Sequence, residues 1–358
     1  MMRAFHFQSS PKRTRRMAMK SQEFKTIFGK RPIPFGWGLK LASRAGVVSF
    51  TPMSDTPLAP APPSKAKVFF RRLGSTIVLW AVILAAIFSG NKLLSDYAFI
   101  ALMILLAAVG LIEFYGLVDK RGLVSFKICG VLGGVLLMIG TFLHCEGRLG
   151  MYQDPARAND FETTFLILFV LGLCVRQFVS RSNTAGILAI STTLFGLMYV
   201  PWLLNFIQKI NFFPGIGENG KYYVLFFIVV TKFSDTGAYA VGSLIGKHKM
   251  IPRISPAKTW EGFGGAIVVS TVASLVFTHF LGDKMFGMKP LHAVVLGVLL
   301  SSTAVIGDLI ESLFKREAGV KDSGSFFPGI GGILDLLDSL LFNAPIMYLY
   351  LRHVLTHP

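Results

Sequence analysis

Residues 291–310 read LHAVVLGVLLSSTAVIGDLI, an apolar run of twenty residues whose one carboxylate, Asp308, stands near its end. Twenty residues of helix rise about 30 Å, the thickness of a bilayer's hydrocarbon core. The polar, glycine-rich stretch ESLFKREAGVKDSGSFFPGIGG follows over 311–332, and 331–351 is apolar again. A helix that crosses, a charged turn and a second helix that returns describe a polytopic membrane protein. Working outward, comparable runs occur at 74–90, 97–118, 126–144, 163–180, 184–206, 222–245 and 263–281, giving nine spans. Composition agrees: 53% of the 358 residues are hydrophobic and 15% charged, with a mean hydropathy of +0.58. A soluble domain carries about 25% charged residues. The expected fold class is therefore all-α and polytopic, with about nine transmembrane helices, short loops and a polar site on the cytosolic side.

The net charge of +17 is unevenly placed. Residues 1–72 hold 15 Lys or Arg against two acids, Glu23 and Asp55, and include the proline-rich run TPLAPAPP at 56–63. This tail is too polar and proline-broken to bury a core, so we expect a disordered cytosolic segment drawn to anionic lipid headgroups. An Arg-rich targeting segment, or a start at Met53, are its alternative readings. Nothing in it resembles a nucleic-acid module, and no nucleic-acid partner is expected. With the tail inside, the even-numbered loops join it on a side carrying 27 Lys or Arg against 8 on the other, which orients the chain by the positive-inside rule. Residues 73–220 then form the N-terminal transmembrane helices and 221–358 the C-terminal region that carries the chemistry. Cys129, Cys145 and Cys174 form neither a CxxC pair nor a disulfide framework.

A carboxylate inside a bilayer is costly and marks a functional site by default. Lone charges such as Glu113 or Lys232 have an equally good reading as paired or snorkelling groups. The C-terminal half differs because its polar residues come in ordered sets. Asp235 and Tyr239 share a helical face four residues apart, followed by Gly242 and Gly246. The loop 246–262, GKHKMIPRISPAKTWEG, offers four cationic side chains, hydroxyls and two stiffening prolines, a cradle suited to polyphosphate. Asp308, Glu311, Ser312 and Lys315 stand at i, i+3, i+4 and i+7, one stripe at the cytosolic end of the eighth span. Asp335 and Asp338 share a face at the start of the ninth. Carboxylates on adjacent helices beside Lys and Arg suit a hard cation shared with phosphate oxygens. Buried ion pairs between helices are the plainer alternative.

Ser312-Leu313-Phe314-Lys315-Arg316, then Lys321-Asp322-Ser323-Gly324, Pro328-Gly329-Ile330-Gly331-Gly332 and Asp335-Leu336-Leu337-Asp338, closely resemble the signature of phosphatidate cytidylyltransferases, the CDP-diacylglycerol synthases. Ser234-Asp235-Thr236-Gly237-Ala238-Tyr239, Gly246-Lys247-His248-Lys249 and Ile254-Ser255-Pro256 with Lys258-Thr259-Trp260-Glu261-Gly262 also look like that family. The resemblance covers about residues 70–350. It implies that CTP and phosphatidate are joined to give CDP-diacylglycerol and pyrophosphate, with Mg2+ and the option of a second cation, in a multi-pass protein of a bacterial inner membrane that forms a homodimer.

Carried onto this chain, the resemblance makes Asp308 and Asp335 the main magnesium ligands, with Asp338 and Asp322 as further ligands or orienting groups. Lys258, Lys315, Arg316 and Lys321 would clamp phosphates. Asp235, Lys247, Ser255 and Ser312 would line the substrate pocket. Two positions depart from the family pattern: Ile330 stands where His is usual, and Leu336 where Arg is usual. Three other functions fit the same residues less closely. They are a CTP-using transferase acting on another membrane lipid, a cation-coupled transporter built on Asp235, Asp308 and Asp335, and a degenerate paralogue that only scaffolds.

Overall fold

The computed structural model describes residues 90–146, 155–180, 185–214, 216, 219–324 and 331–356, together with 81 and 85. The basic tail 1–72 and, apart from residues 81, 85 and 90, the first predicted span 74–90 lie outside them. The elements are α1 (Lys92–Lys120), α2 (Lys127–Glu146), α3 (Pro155–Val179), α4 (Gly186–Leu197), a π-turn (Met198–Trp202), α5 (Leu203–Asn211) and α6 (Gly220–Ile245). There follow β1 (Lys249–Ile251), β2 (Ser255–Thr259), α7 (Trp260–Leu281), α8 (Pro290–Glu317), α9 (Ile333–Tyr350) and a closing π-turn (Leu351–Leu355).

Among the described residues, eight helices are long and apolar enough to cross a membrane, α4, the π-turn and α5 running on as one span, Gly186–Asn211. They coincide with the second to ninth spans expected from the sequence. α3 starts at Pro155 rather than 163, and α8 continues to Glu317 rather than stopping at 310. The polar stripe from Asp308 to Lys315 keeps the helical period after the apolar window ends. Helices suit this solvent because they satisfy their own backbone where lipid offers no hydrogen bonds. Phe178 at 90% and Ile187 at 85% exposure would be out of place in water but are at home against acyl chains.

One loop is more ordered than expected. Residues 249–259 form a two-stranded antiparallel hairpin in which Lys249 faces Thr259 and Ile251 faces Ser255. Glu261 holds its base by accepting from the backbone N–H groups of Lys247 (3.1 Å) and His248 (3.2 Å). Thr259 Oγ1 accepts from Gly262 N at 3.1 Å and so caps α7.

Without a hydrophobic drive between helices in lipid, close packing and polar contacts must hold them. At the α6–α7 crossing, Gly237 and Gly242 meet Gly262 and Gly265; a Cβ on Gly237 would stand 2.7 Å from the Gly265 carbonyl oxygen. Ser270 and Ser274 of α7 donate to the α8 carbonyls of Gly297 (2.8 Å) and Ala293 (2.6 Å). Asn343 of α9 donates to Thr231 of α6 at 2.7 Å and accepts from Thr303 of α8. These bonds bring the ends of α6, α7, α8 and α9 to fixed positions. Because the Gly265 crossing leaves no room for a methyl, Gly265→Ala should lower the thermal unfolding midpoint in detergent, at a cost of about 1–3 kcal/mol. Gly264→Ala, where a Cβ meets nothing within 4 Å, should leave the midpoint unchanged or raise it.

Candidate active site

The last turns of α1, α6 and α8 and the first turns of α7 and α9 meet at one end of the bundle. On α8, the i, i+3 spacing turns Asp308 and Glu311 toward α9, which presents Asp338. One carboxylate oxygen from each of these three residues lies within 4.8 Å of the others. Glu311 is fully buried, while Asp308 and Asp338 are half-buried. Lys258, at the end of the hairpin, reaches across to Asp308 at 2.7 Å and donates to the Val305 carbonyl at 3.2 Å. Ser312 Oγ donates to Asp308 at 3.3 Å.

A second group of charges frames the first. Lys315 pairs with Glu311 on its own helix and with Asp335 of α9 at 2.8 Å. Asp335 also accepts from the backbone N–H groups of Gly332 (2.8 Å) and Ser323 (3.2 Å), so it caps α9 while closing the loop before it. Gly331 has φ +117°, a conformation that L side chains rarely adopt, and a Cβ there would press on Asp335. Glu113 of α1 approaches from the far end of the sequence and accepts from Leu334 N (2.8 Å) and Ser323 Oγ (3.2 Å). Glu113 fills the space against Gly324 and Gly332, where a Cβ on either glycine would collide with its carboxylate. On the α6 side, Lys232 touches Asp235 (3.4 Å), the Leu336 carbonyl (3.1 Å) and Ser339 Oγ (3.4 Å), and Ser339 donates to Asp235 at 3.4 Å.

The expected residues thus divide. Asp308, Asp338, Lys258, Lys315 and Ser312 stand together, and Asp235 joins them through Ser339. Asp335, expected as a main metal ligand, pairs with Lys315, accepts from two backbone amides and meets Glu311, which stands beside Asp308. Arg316 is exposed and donates to the Ile254 carbonyl, tying α8 to the hairpin at 3.2 Å. Lys321, Asp322 and Lys247 are exposed, and Ser255 is half-buried on β2. Ile330 lies outside the described residues. Beside Leu336, the cation supplied is Lys232 from α6. Glu113 and Lys232, which the sequence left open between paired and functional roles, are both paired here.

The donor chemistry of the triad fits a hard divalent cation. Its oxygens are carboxylate oxygens, as magnesium prefers, and the buried Glu311 carboxyl also meets Lys315 and Asp335.

Bundle and site together define a multi-pass integral membrane protein with a carboxylate and lysine cluster at one end. The cytidylyltransferase family profile matches residues 70–354, and the chain belongs to that family. A phosphatidate cytidylyltransferase of Haemophilus influenzae is 30% identical over 291 residues, which cover 78% of this chain and 98% of that one. One from Staphylococcus haemolyticus is 32% identical over 241 residues, covering 62% of this chain and 92% of the relative. One from Mycobacterium bovis is 36% identical over 193 residues, covering 52% and 60% respectively.

Lys315 holds two otherwise like-charged carboxylates together. Lys315→Met should therefore destabilise the folded protein by about 3–5 kcal/mol, the cost of leaving buried charges unpaired, as measured by thermal unfolding in detergent. Lys315→Arg should recover most of that loss. A methionine variant as stable as the parent would show that the pairs do not hold this end of the bundle.

Proposed function

We propose that this chain transfers the cytidylyl group of CTP to phosphatidate, giving CDP-diacylglycerol and pyrophosphate, at the cytosolic face of a bacterial cytoplasmic membrane. One observation carries the reading: a carboxylate triad flanked by Lys258 and Lys315 in a chain of the cytidylyltransferase family. The relatives named for phosphatidate support the lipid substrate, and the basic loops at the site's end support the cytosolic orientation.

The chemistry asks little in the way of proton transfer. A phosphate monoester has its second pKa near 6, so phosphatidate is mostly dianionic at neutral pH and already nucleophilic. One of its oxygens forms a bond to the α-phosphorus of CTP as the α–β bridging P–O bond breaks, and that electron pair leaves on pyrophosphate. The difficulty is to bring two polyanions together and to stabilise charge on the groups in flight. Asp308, Glu311 and Asp338 would hold a magnesium ion, which when bound supplies charge neutralisation at phosphate oxygens.

The chain's own cations complete the task in this reading. Lys258 and Lys315, each already anchored to carboxylates, present fixed positive charge beside the triad. Exposed Arg316, Lys321 and Lys247 attract and hold the triphosphate as it arrives from water, with Ser255 on the hairpin beside them. Asp322 serves as an orienting group on the loop before α9. Asp335 fixes Lys315 and closes the loop, and Asp235 with Ser339 sets Lys232.

Purified protein given Mg2+, phosphatidate and CTP labelled in the cytidine should yield a labelled lipid and free pyrophosphate, and a chelator should abolish both. Asp338→Asn should lower kcat by about 10²-fold or more while the unfolding midpoint stays within a few degrees. Lipid that takes label only from the γ-phosphate would identify a kinase and contradict the proposal.

A further inference from the structure

Tyr199 lies on the π-turn Met198–Trp202, which interrupts the span Gly186–Asn211 partway along its length. A π-turn re-aims side chains relative to the α-helical register and is frequent at functional sites. The Tyr199 ring is buried in a box of Phe114, Phe195, Phe314 and Phe342, with centroids 5.9, 5.7, 5.4 and 6.3 Å away. Three walls of the box are tied to the site in sequence. Phe114 follows Glu113, Phe314 precedes Lys315, and Phe342 stands one turn beyond Asp338.

A phenylalanine would fill this box equally well, so packing does not account for the hydroxyl. That hydroxyl is buried and has no hydrogen-bond partner among the described residues, and a buried hydroxyl left so bears its full desolvation cost. The charges it feels most are Glu311 and Asp338, two members of the triad. Glu311 is fully buried nearby, and the Tyr199 hydroxyl makes no hydrogen bond to it. An orphaned donor buried beside a carboxylate cluster lines a place where another oxygen belongs.

We infer that the Tyr199 hydroxyl donates a hydrogen bond to an oxygen held at the Asp308–Glu311–Asp338 triad, and so is a neutral donor for the occupant of that site. The oxygen belongs either to water on a divalent cation or to a phosphate group of a substrate, and both accept from a phenol. The inference rests on the proposed role of the triad, and adds to it a residue from the α4–α5 span, outside the C-terminal motifs.

Tyr199→Phe isolates the hydroxyl because it leaves the aromatic box filled, and Tyr199→Leu reports on the box itself. Metal-free Tyr199→Phe should unfold at the same temperature as the parent or higher, since an unsatisfied polar group is removed; Tyr199→Leu should unfold lower. If the acceptor is metal-bound water, Mn2+ titration followed by electron paramagnetic resonance should show about tenfold weaker binding to Tyr199→Phe without substrate, the equivalent of one hydrogen bond. If it is a phosphate oxygen, Mn2+ binding should be unchanged and kcat/KM for CTP or phosphatidate should fall about tenfold. Mn2+ affinity and kcat/KM both within twofold of the parent would overturn the inference. A metal-free midpoint for Tyr199→Phe as low as that of Tyr199→Leu would also overturn it, by showing that the hydroxyl already has a partner within the protein. A parent protein that neither binds Mn2+ nor makes a liponucleotide would refute the triad's role itself, and the inference with it.

Discussion

Six carboxylates, Glu113, Asp235, Asp308, Glu311, Asp335 and Asp338, gather at one end of this bundle with three lysines, Lys232, Lys258 and Lys315, among them. Like charges at such separations in a medium of low dielectric repel strongly, so the arrangement stands only if each acid is answered. Two are answered by the backbone as well as by side chains: Glu113 by Leu334 N, and Asp335 by Gly332 N and Ser323 N. The lysines take their share. The acids crowd most closely where Asp308, Glu311 and Asp338 bring three oxygens within 4.8 Å of one another. That convergence is the feature on which the proposed hold on a cation, and through the cation on phosphate, depends.

The same electrostatics explains the loop geometry around it. Asp335 caps the helix that carries Asp338, and in doing so fixes Lys315, which in turn restrains Glu311. Glu113 pins the start of α9 from a helix more than two hundred residues earlier. The glycines at 324, 331 and 332 are required by this crowding, since a side chain at 324 or 332 would displace Glu113 and one at 331 would press on Asp335. A motif that reads as a string of small and charged residues is thus a single folded object whose parts constrain one another.

The spans were legible because lipid imposes length and apolarity on any segment that crosses it, and eight of the nine expected runs fall on described helices. The stripe Asp308, Glu311, Ser312, Lys315 was legible from its helical period, and it carried α8 beyond its apolar window. The division of labour between Glu311 and Asp335 was not. A spacing of three residues puts Asp335 and Asp338 on one face but does not say that one will face Lys315 and the other the triad. Glu113 could not be read as a partner of the α9 loop, because a lone acid in an apolar helix carries no record of what it will meet. The hairpin at 249–259 was hidden by its prolines, and the importance of Tyr199 lies in a missing bond, which no sequence pattern encodes. Leu336, a departure from the family pattern, proves to lie beside the cation Lys232, so the loss of a guanidinium there does not leave the position without positive charge.

We propose that the triad, rather than Asp335, holds the divalent cation. Anomalous diffraction from crystals of the protein grown with Mn2+ in place of Mg2+ tests it most directly. One strong peak should lie within coordination distance of the carboxylates of Asp308, Glu311 and Asp338, with Asp335 still paired to Lys315. A peak bound by Asp335 with Lys315 displaced, or no peak at this end of the bundle, would contradict it.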